Sequence, residues 1–353
     1  MQSFPAPPPS TGETLRSPSP IVLALGCYTD ATHGEGLKTI SVDPETGAIG
    51  VLASYPVKNA IYQALSPDRK FMVSCAEGGL ASFSVDGCDL KPLHAVDLGA
   101  TPCHVSLCAD GSAAYWTDYL GGRCGSVEIA PGGAFGEVRV WAHEGSGPNK
   151  PRQDRAHCHE AVPSPRGGGA FYVVDLGLDR IFLYPDGRAT PTAPAGAGPR
   201  HLVFSDDGKT GFLVFELGNL VSSFRVRDDG SLDFVDAKPT LPPGDTGRGA
   251  NGDLAAAIRF SPDGRRIVVS NRGENSLVSF PFDGGSLALG TCARSLLPGS
   301  WPRDFLFVSD TLAVAAMERS GDVMTLRYDP ESGVFSVVSV LGGFFRPVAF
   351  TKL

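Results

Sequence analysis

No apolar run in this sequence is long enough to span a bilayer. The stretch at residues 21–25 is too short even for the core of a secretion signal, and no basic segment precedes it. Helical periodicity sustained between caps is missing too, which argues against bundles and α/β layers. Positive charge is in deficit: 30 lysines and arginines face 38 aspartates and glutamates, for a formal charge of −8. A general nucleic-acid binder needs a basic face, so that partner class is excluded, as is a membrane. Methionine and tryptophan are scarce, at 4 and 3 residues. None of the eight cysteines has C-x-x-C spacing. In a chain with this much core they read as buried thiols of a reducing compartment, and the expected location is cytoplasmic. There is no G-x-S-x-G elbow, P-loop, G-x-G-x-x-G or H-E-x-x-H, so no cofactor is expected.

What is abundant is glycine and proline, 44 and 29 among 353 residues, the composition of many short strands joined by tight turns. The phrase Ser261-Pro262-Asp263-Gly264, followed by an apolar run, recurs as Ser66-Pro67-Asp68 and Ser205-Asp206-Asp207-Gly208, with weaker copies at Ala109-Asp110-Gly111 and Val308-Ser309-Asp310. Repetition every ~40–50 residues signals a ring of small antiparallel sheets. Seven units can be laid out, at about residues 21–55, 60–96, 104–141, 157–184, 200–237, 256–296 and 303–340. The first unit lacks its first strand, and Arg346-Pro347-Val348-Ala349-Phe350 has the pattern of one. The expected fold is therefore all-β, a seven-bladed β-propeller in which a C-terminal strand completes the first blade. It occupies residues 21–353, behind a proline-rich leader at 1–20 that is expected to be disordered.

In such a ring the start of each first strand and the end of each second strand lie on one face, beside the channel mouth. First-strand starts give His104, His157, His159, Arg200, His201, Arg303, Asp304 and Arg346; second-strand ends give Glu77, Tyr119, Asp175, Glu216, Asn271, Arg272 and Glu318. Arginines and histidines converging on an acidic body form a cationic well for a small carboxylate or phosphate. Asp175 and Asp304 read as structural members of this set. The alternation His157-Cys158-His159 puts both imidazoles on one side of a strand and Cys158 into the blade core. With no third ligand in view, no metal is expected there.

Several of these strings resemble a known family. Ala156-His157-Cys158-His159, Asp175-Leu176-Gly177-Leu178-Asp179-Arg180, Gly198-Pro199-Arg200-His201, Phe215-Glu216-Leu217 and Val269-Ser270-Asn271-Arg272-Gly273 are similar to motifs of the 6-phosphogluconolactonase family of seven-bladed propeller lactonases. The opening Gly26-Cys27-Tyr28-Thr29 fits as well. The same fold family contains a fungal 3-carboxy-cis,cis-muconate cyclase. By motif its proposed His, two Arg and Glu fall on His159, Arg200, Arg272 and Glu216, four residues the blade geometry also selects. The resemblance implies hydrolysis of an anionic sugar lactone with those four as catalytic residues; of the other blade-mouth positions, His157, His201, Arg303, Glu77, Tyr119 and Glu318 are expected to bind substrate. Ring opening needs a base for water, positive charge at the developing oxyanion and a donor for the leaving alkoxide. His159 and Glu216 both remain open as the base, and the two are expected within hydrogen-bonding reach of each other. The alternatives are a cyclase-type lactonising isomerase and, from another class, a non-catalytic propeller that binds a protein partner.

Overall fold

The computed structural model describes residues 19–150, 152–242, 252–284 and 288–353. The expectation for residues 1–18 lies outside these. The described residues form 28 β-strands and no helix. They build seven four-stranded antiparallel sheets arranged around a channel, as the repeats imply. The first blade holds β1 (Ile21–Cys27), β2 (Leu37–Val42) and β3 (Ile49–Tyr55), with β28 (Pro347–Lys352) as its inner strand. The inner strands of blades two to seven are β4 (Gln63–Leu65), β8 (His104–Leu107), β12 (Cys158–Pro163), β16 (Pro199–Phe204), β20 (Leu254–Phe260) and β24 (Pro302–Phe307).

The repeated Ser-x-Asp phrase is a turn lock. Ser66 Oγ donates to Asp68 Oδ1 (2.7 Å) and accepts the Phe71 N–H (3.0 Å), which ties the turn to the start of the next strand. Ser205 with Asp207 and Ser261 with Asp263 repeat the pattern, and Cys108 stands in for serine with Asp110. Apolar side chains alternate along each strand and pack between blades. Where the ring closes, Leu23 and Ile40 of blade one meet Val314 and Val323 of blade seven, with Phe350 of β28 among them. Thr325 also donates to the Gly47 carbonyl at 2.8 Å across that junction.

The inner strands carry a feature invisible in the repeat. Register shifts fall between Cys158 and Glu160 in β12, Pro199 and His201 in β16, and Pro302 and Asp304 in β24. A bulge leaves one residue unpaired and turns its side chain out of the regular alternation. The three unpaired residues are His159, Arg200 and Arg303.

Candidate active site at one mouth of the channel

These bulges, with the ends of the second strands, gather charged groups at one mouth of the channel. A cavity of about 640 Å³ is lined by Tyr28, Tyr119, Arg152, His159, Glu216, Arg272 and Arg303, among others. Glu216 follows β17 (Thr210–Phe215) and is buried at its centre. Its Oε2 lies 2.7 Å from Arg272 Nη2 and 3.1 Å from Arg200 Nε, while Oε1 accepts from Arg152 Nη2 at 2.5 Å. Burial alone would raise this carboxyl. The guanidiniums of Arg272, Arg200 and Arg152 more than offset it and hold Glu216 well below the usual carboxylate range. It is a fixed anion, and a poor base.

Arg272 ends β21 (Arg266–Arg272), with its guanidinium also bonded to the Leu254 and Ala255 carbonyls at 3.2 and 2.9 Å. It is rigid. Arg152, by contrast, reaches in from a loop, touches Tyr119 Oη at 3.3 Å and keeps about a third of its side chain exposed (37%). Arg303 pairs with Glu318 Oε2 at 3.2 Å, and Arg346 with Glu318 Oε1; both guanidiniums lie against the Tyr28 ring. Among these lining residues three guanidiniums face one carboxylate, so the cavity is cationic on an anionic protein.

His159 is buried beside them, and its Nδ1 has no hydrogen-bond partner. Burial, then the nearby Arg200 charge, hold its imidazole well below the ordinary histidine range against the pull of Glu216. It is neutral with a free lone pair, although the same shift that keeps it neutral weakens it as a base, so it acts only as water's proton moves in the reaction itself. The expected hydrogen bond from His159 to Glu216 is not formed: Nε2 and Oε2 stand 4.0 Å apart, because the arginines have taken the carboxylate.

The remaining candidates are placed differently. Arg200 sits under the floor, bonded to Glu216 and to the Ala256 carbonyl at 2.7 Å. His201 and His104 lie deeper and line a second channel cavity of about 580 Å³ with Tyr62, Glu160 and Arg259. Both ring nitrogens of His157 are occupied, by the Tyr119 carbonyl (2.8 Å) and Asp154 (3.1 Å), so it forms no metal pair with His159. Glu77 is exposed on the rim of blade two, 3.6 Å from Lys58, away from the charged cavity. Asp304 pairs with Arg259 and accepts the Phe350 N–H of β28, while Asn271 bonds the Thr240 carbonyl. The position rule missed Tyr28 and Arg152. Their only signal was membership of family-like strings, Gly26-Cys27-Tyr28-Thr29 and Arg152-Gln153-x-x-Ala156-His157-Cys158-His159, since neither starts a first strand nor ends a second.

The description of the lactonase family, a seven-bladed β-propeller, fits residues 22–340. The chain belongs to this family. Membership gives the reaction class, lactone hydrolysis, and a small lactone as the substrate class. A 6-phosphogluconolactonase of Bacillus subtilis is 30% identical over 330 residues, spanning 88% of this chain and 91% of that protein. The solved structure of a periplasmic gluconolactonase of Pseudomonas aeruginosa superposes with a TM-score of 0.86 at 28% identity, covering 94% of this chain and 99% of its own. The structure of a putative 6-phosphogluconolactonase of Bacteroides fragilis matches with a TM-score of 0.84 at 26% identity, covering 98% and 100%. No described helix is long and apolar enough to cross a membrane.

Proposed function

We propose that this lactonase hydrolyses a phosphorylated sugar lactone of the 6-phosphogluconolactone class, with His159 as the base. The observation that carries the proposal is a neutral imidazole with an unpartnered Nδ1 beside the Arg152, Arg200 and Arg272 guanidiniums, whose shared carboxylate, Glu216, is already neutralised. Rigid Arg272 suits the developing oxyanion, because a fixed donor costs no reorganisation during reaction. Arg303 and the more exposed Arg152 suit the phosphate, whose position varies with the sugar chain.

In this scheme His159 takes a proton from water while the oxygen attacks the lactone carbonyl carbon. The carbonyl π pair moves to oxygen against Arg272. Collapse breaks the ring C–O bond, and the imidazolium returns its proton to the leaving alkoxide. The sum is one water added across one ester, and the new carboxylic acid releases its proton to solvent. Glu216 holds the arginines in place and does not exchange a proton. The eight cysteines are free thiols, which supports a reducing compartment and hence the cytoplasm.

The test offers purified protein 6-phosphoglucono-δ-lactone, unphosphorylated glucono-δ-lactone and 3-carboxy-cis,cis-muconate. A preference of at least ~10-fold in kcat/KM for the phosphorylated lactone is expected, the lower bound of a charge-assisted contact. Equal turnover of the two lactones would remove the phosphate assignment, and cyclisation of the muconate alone would replace hydrolysis as the reaction.

A further inference from the structure

On the opposite face of β12 from His159, between blades three and four, a second group of side chains meets that the proposed hydrolysis does not use. Cys124 is on β10 (Arg123–Ala130), His143 follows β11 (Ala134–Ala142), Cys158 opens β12 and Asp175 ends β13 (Phe171–Asp175). One donor atom each from Cys124, His143 and Cys158 lies within 4.8 Å of the others. Cys158 Sγ is 3.3 Å from His143 Nδ1 and 3.7 Å from Asp175 Oδ2. All four side chains are buried, the imidazole only 3% exposed.

We propose that Cys124, His143 Nδ1, Cys158 and Asp175 Oδ2 form a tetrahedral binding site for a zinc-class divalent ion that staples blade three to blade four.

The donor set is the borderline-soft one that suits such an ion: two thiols, an imidazole and a carboxylate. With metal–sulfur and metal–nitrogen bonds of ~2.3 and ~2.0 Å, the edges of the tetrahedron come to ~3.3–3.8 Å. The Cys158 separations already fall there, whereas Cys124 Sγ, within 4.8 Å of the Cys158 and His143 donors and 3.9 Å from His143 Nε2, has to move inward on binding. The 2.7 Å between His143 Nδ1 and Asp175 Oδ2 is a hydrogen bond that opens by ~0.6 Å when a metal replaces the proton. Binding expels that proton and the two thiol protons to solvent.

The outer partners a metal site requires are also in place. His143 Nε2 faces Tyr184 Oη at 2.8 Å, which fixes the ring with Nδ1 toward Cys158 and Asp175, while Cys124 Sγ lies 3.9 Å from Nε2. Asp175 Oδ1 accepts the N–H groups of His157 (2.9 Å) and Leu178 (3.0 Å), leaving Oδ2 to turn inward. In the sequence only the imidazoles of His157 and His159 pair across one strand, and that spacing gives no metal site. The donors that converge lie on the other side of that strand and come from four different strands or strand ends.

The site is buried, so the metal is supplied during folding, by expressing the full chain in medium supplemented with zinc or with cobalt. One metal ion per chain is expected by elemental analysis. The cobalt form should show sulfur-to-metal charge transfer and the visible bands of tetrahedral coordination. Cys124→Ser, Cys158→Ser and His143→Gln should each lose the metal and the bands, while Cys88→Ser, at a cysteine outside the cluster, keeps both. The metal-loaded wild type should melt several degrees above the same protein grown in metal-depleted medium. A wild type that takes up no metal, or whose mass is two hydrogens lower through a Cys124–Cys158 disulfide, overturns the proposal. So does a cobalt spectrum that survives in Cys124→Ser and Cys158→Ser. None of these readouts depends on the substrate.

Discussion

Glu216 is the residue whose surroundings decide how the site works. Three guanidiniums hold one buried carboxylate, so each arginine has a share in its charge balance, but their positions separate their roles. Arg272 lines the cavity, and Arg272→Ala should lower kcat/KM for a phosphorylated lactone by roughly 10–150-fold, corresponding to ~1.5–3 kcal/mol, in steady-state assays. Arg200 lies beneath the floor. Arg200→Ala should instead lower stability by ~1–3 kcal/mol in urea titration, because Glu216 and the Ala256 carbonyl both lose a donor. If Arg200→Ala kept full stability and lost substrate affinity, Arg200 would belong with the binding groups. His159→Gln keeps the polarity but not the basicity of the ring and should cost ~10²–10⁴ in kcat with little change in KM. These assignments were partly readable beforehand. The types and strand ends of Arg272 and Glu216 were legible from the repeat, whereas the 4.0 Å gap between His159 and Glu216 was not. Competition among donors for one carboxylate depends on side-chain paths that spacing does not encode.

At the level of strands, the repeat legible in the sequence is the turn lock with its flanking apolar runs, because both are local. The bulges at His159, Arg200 and Arg303 were not legible. A bulge arises from pairing with a neighbouring strand, and a list of first-strand starts cannot tell an outward-turned residue from its neighbour. His201 shows the consequence: one residue beyond Arg200, it faces the second cavity instead of the first. The closing strand was legible, since 346–350 repeats the pattern at 199–204. Gly26 on β1, next to the register shift against β28, tests that junction. A Cβ there would lie about 2.0 Å from the Ala60 carbonyl oxygen of the next blade, an impossible approach. Gly26→Ala should therefore destabilise the protein by ~1–3 kcal/mol or more, read as a lowered melting temperature. Deleting residues 345–353 should abolish the cooperative melting transition of the whole ring, since β28 supplies the inner strand of blade one. A truncated protein that melts like the full chain would sever closure from stability.

For the whole molecule, the channel stores an acid sensitivity. Burial, then the Arg200 charge, pushes His104 down to about 3, and the same two causes hold His201 well below the ordinary range. An imidazole depressed in the folded state contributes stability that is present above its unfolded value near 6.5. That stability is lost as pH falls toward the folded value. The Glu160 carboxyl, pushed up to about 8 by burial, works in the opposite sense between its unfolded value of 4.5 and 8. With His159, three depressed imidazoles outweigh one carboxyl below pH 6.5, so stability should decline from pH 6.5 to 4.5, each histidine giving at most ~1.4 kcal/mol per pH unit. His104→Gln should flatten that slope in melting curves taken across the range; an unchanged slope would place the acid sensitivity elsewhere. The ring closure carries a different consequence, for synthesis. β1 leaves the ribosome early, but its partner β28 starts 326 residues after β1 does, a wait of roughly 16–65 s at ordinary elongation rates. Through that interval the inner edge of β1 stays open, offering its backbone to any extended peptide nearby, and the first blade made is the last one finished.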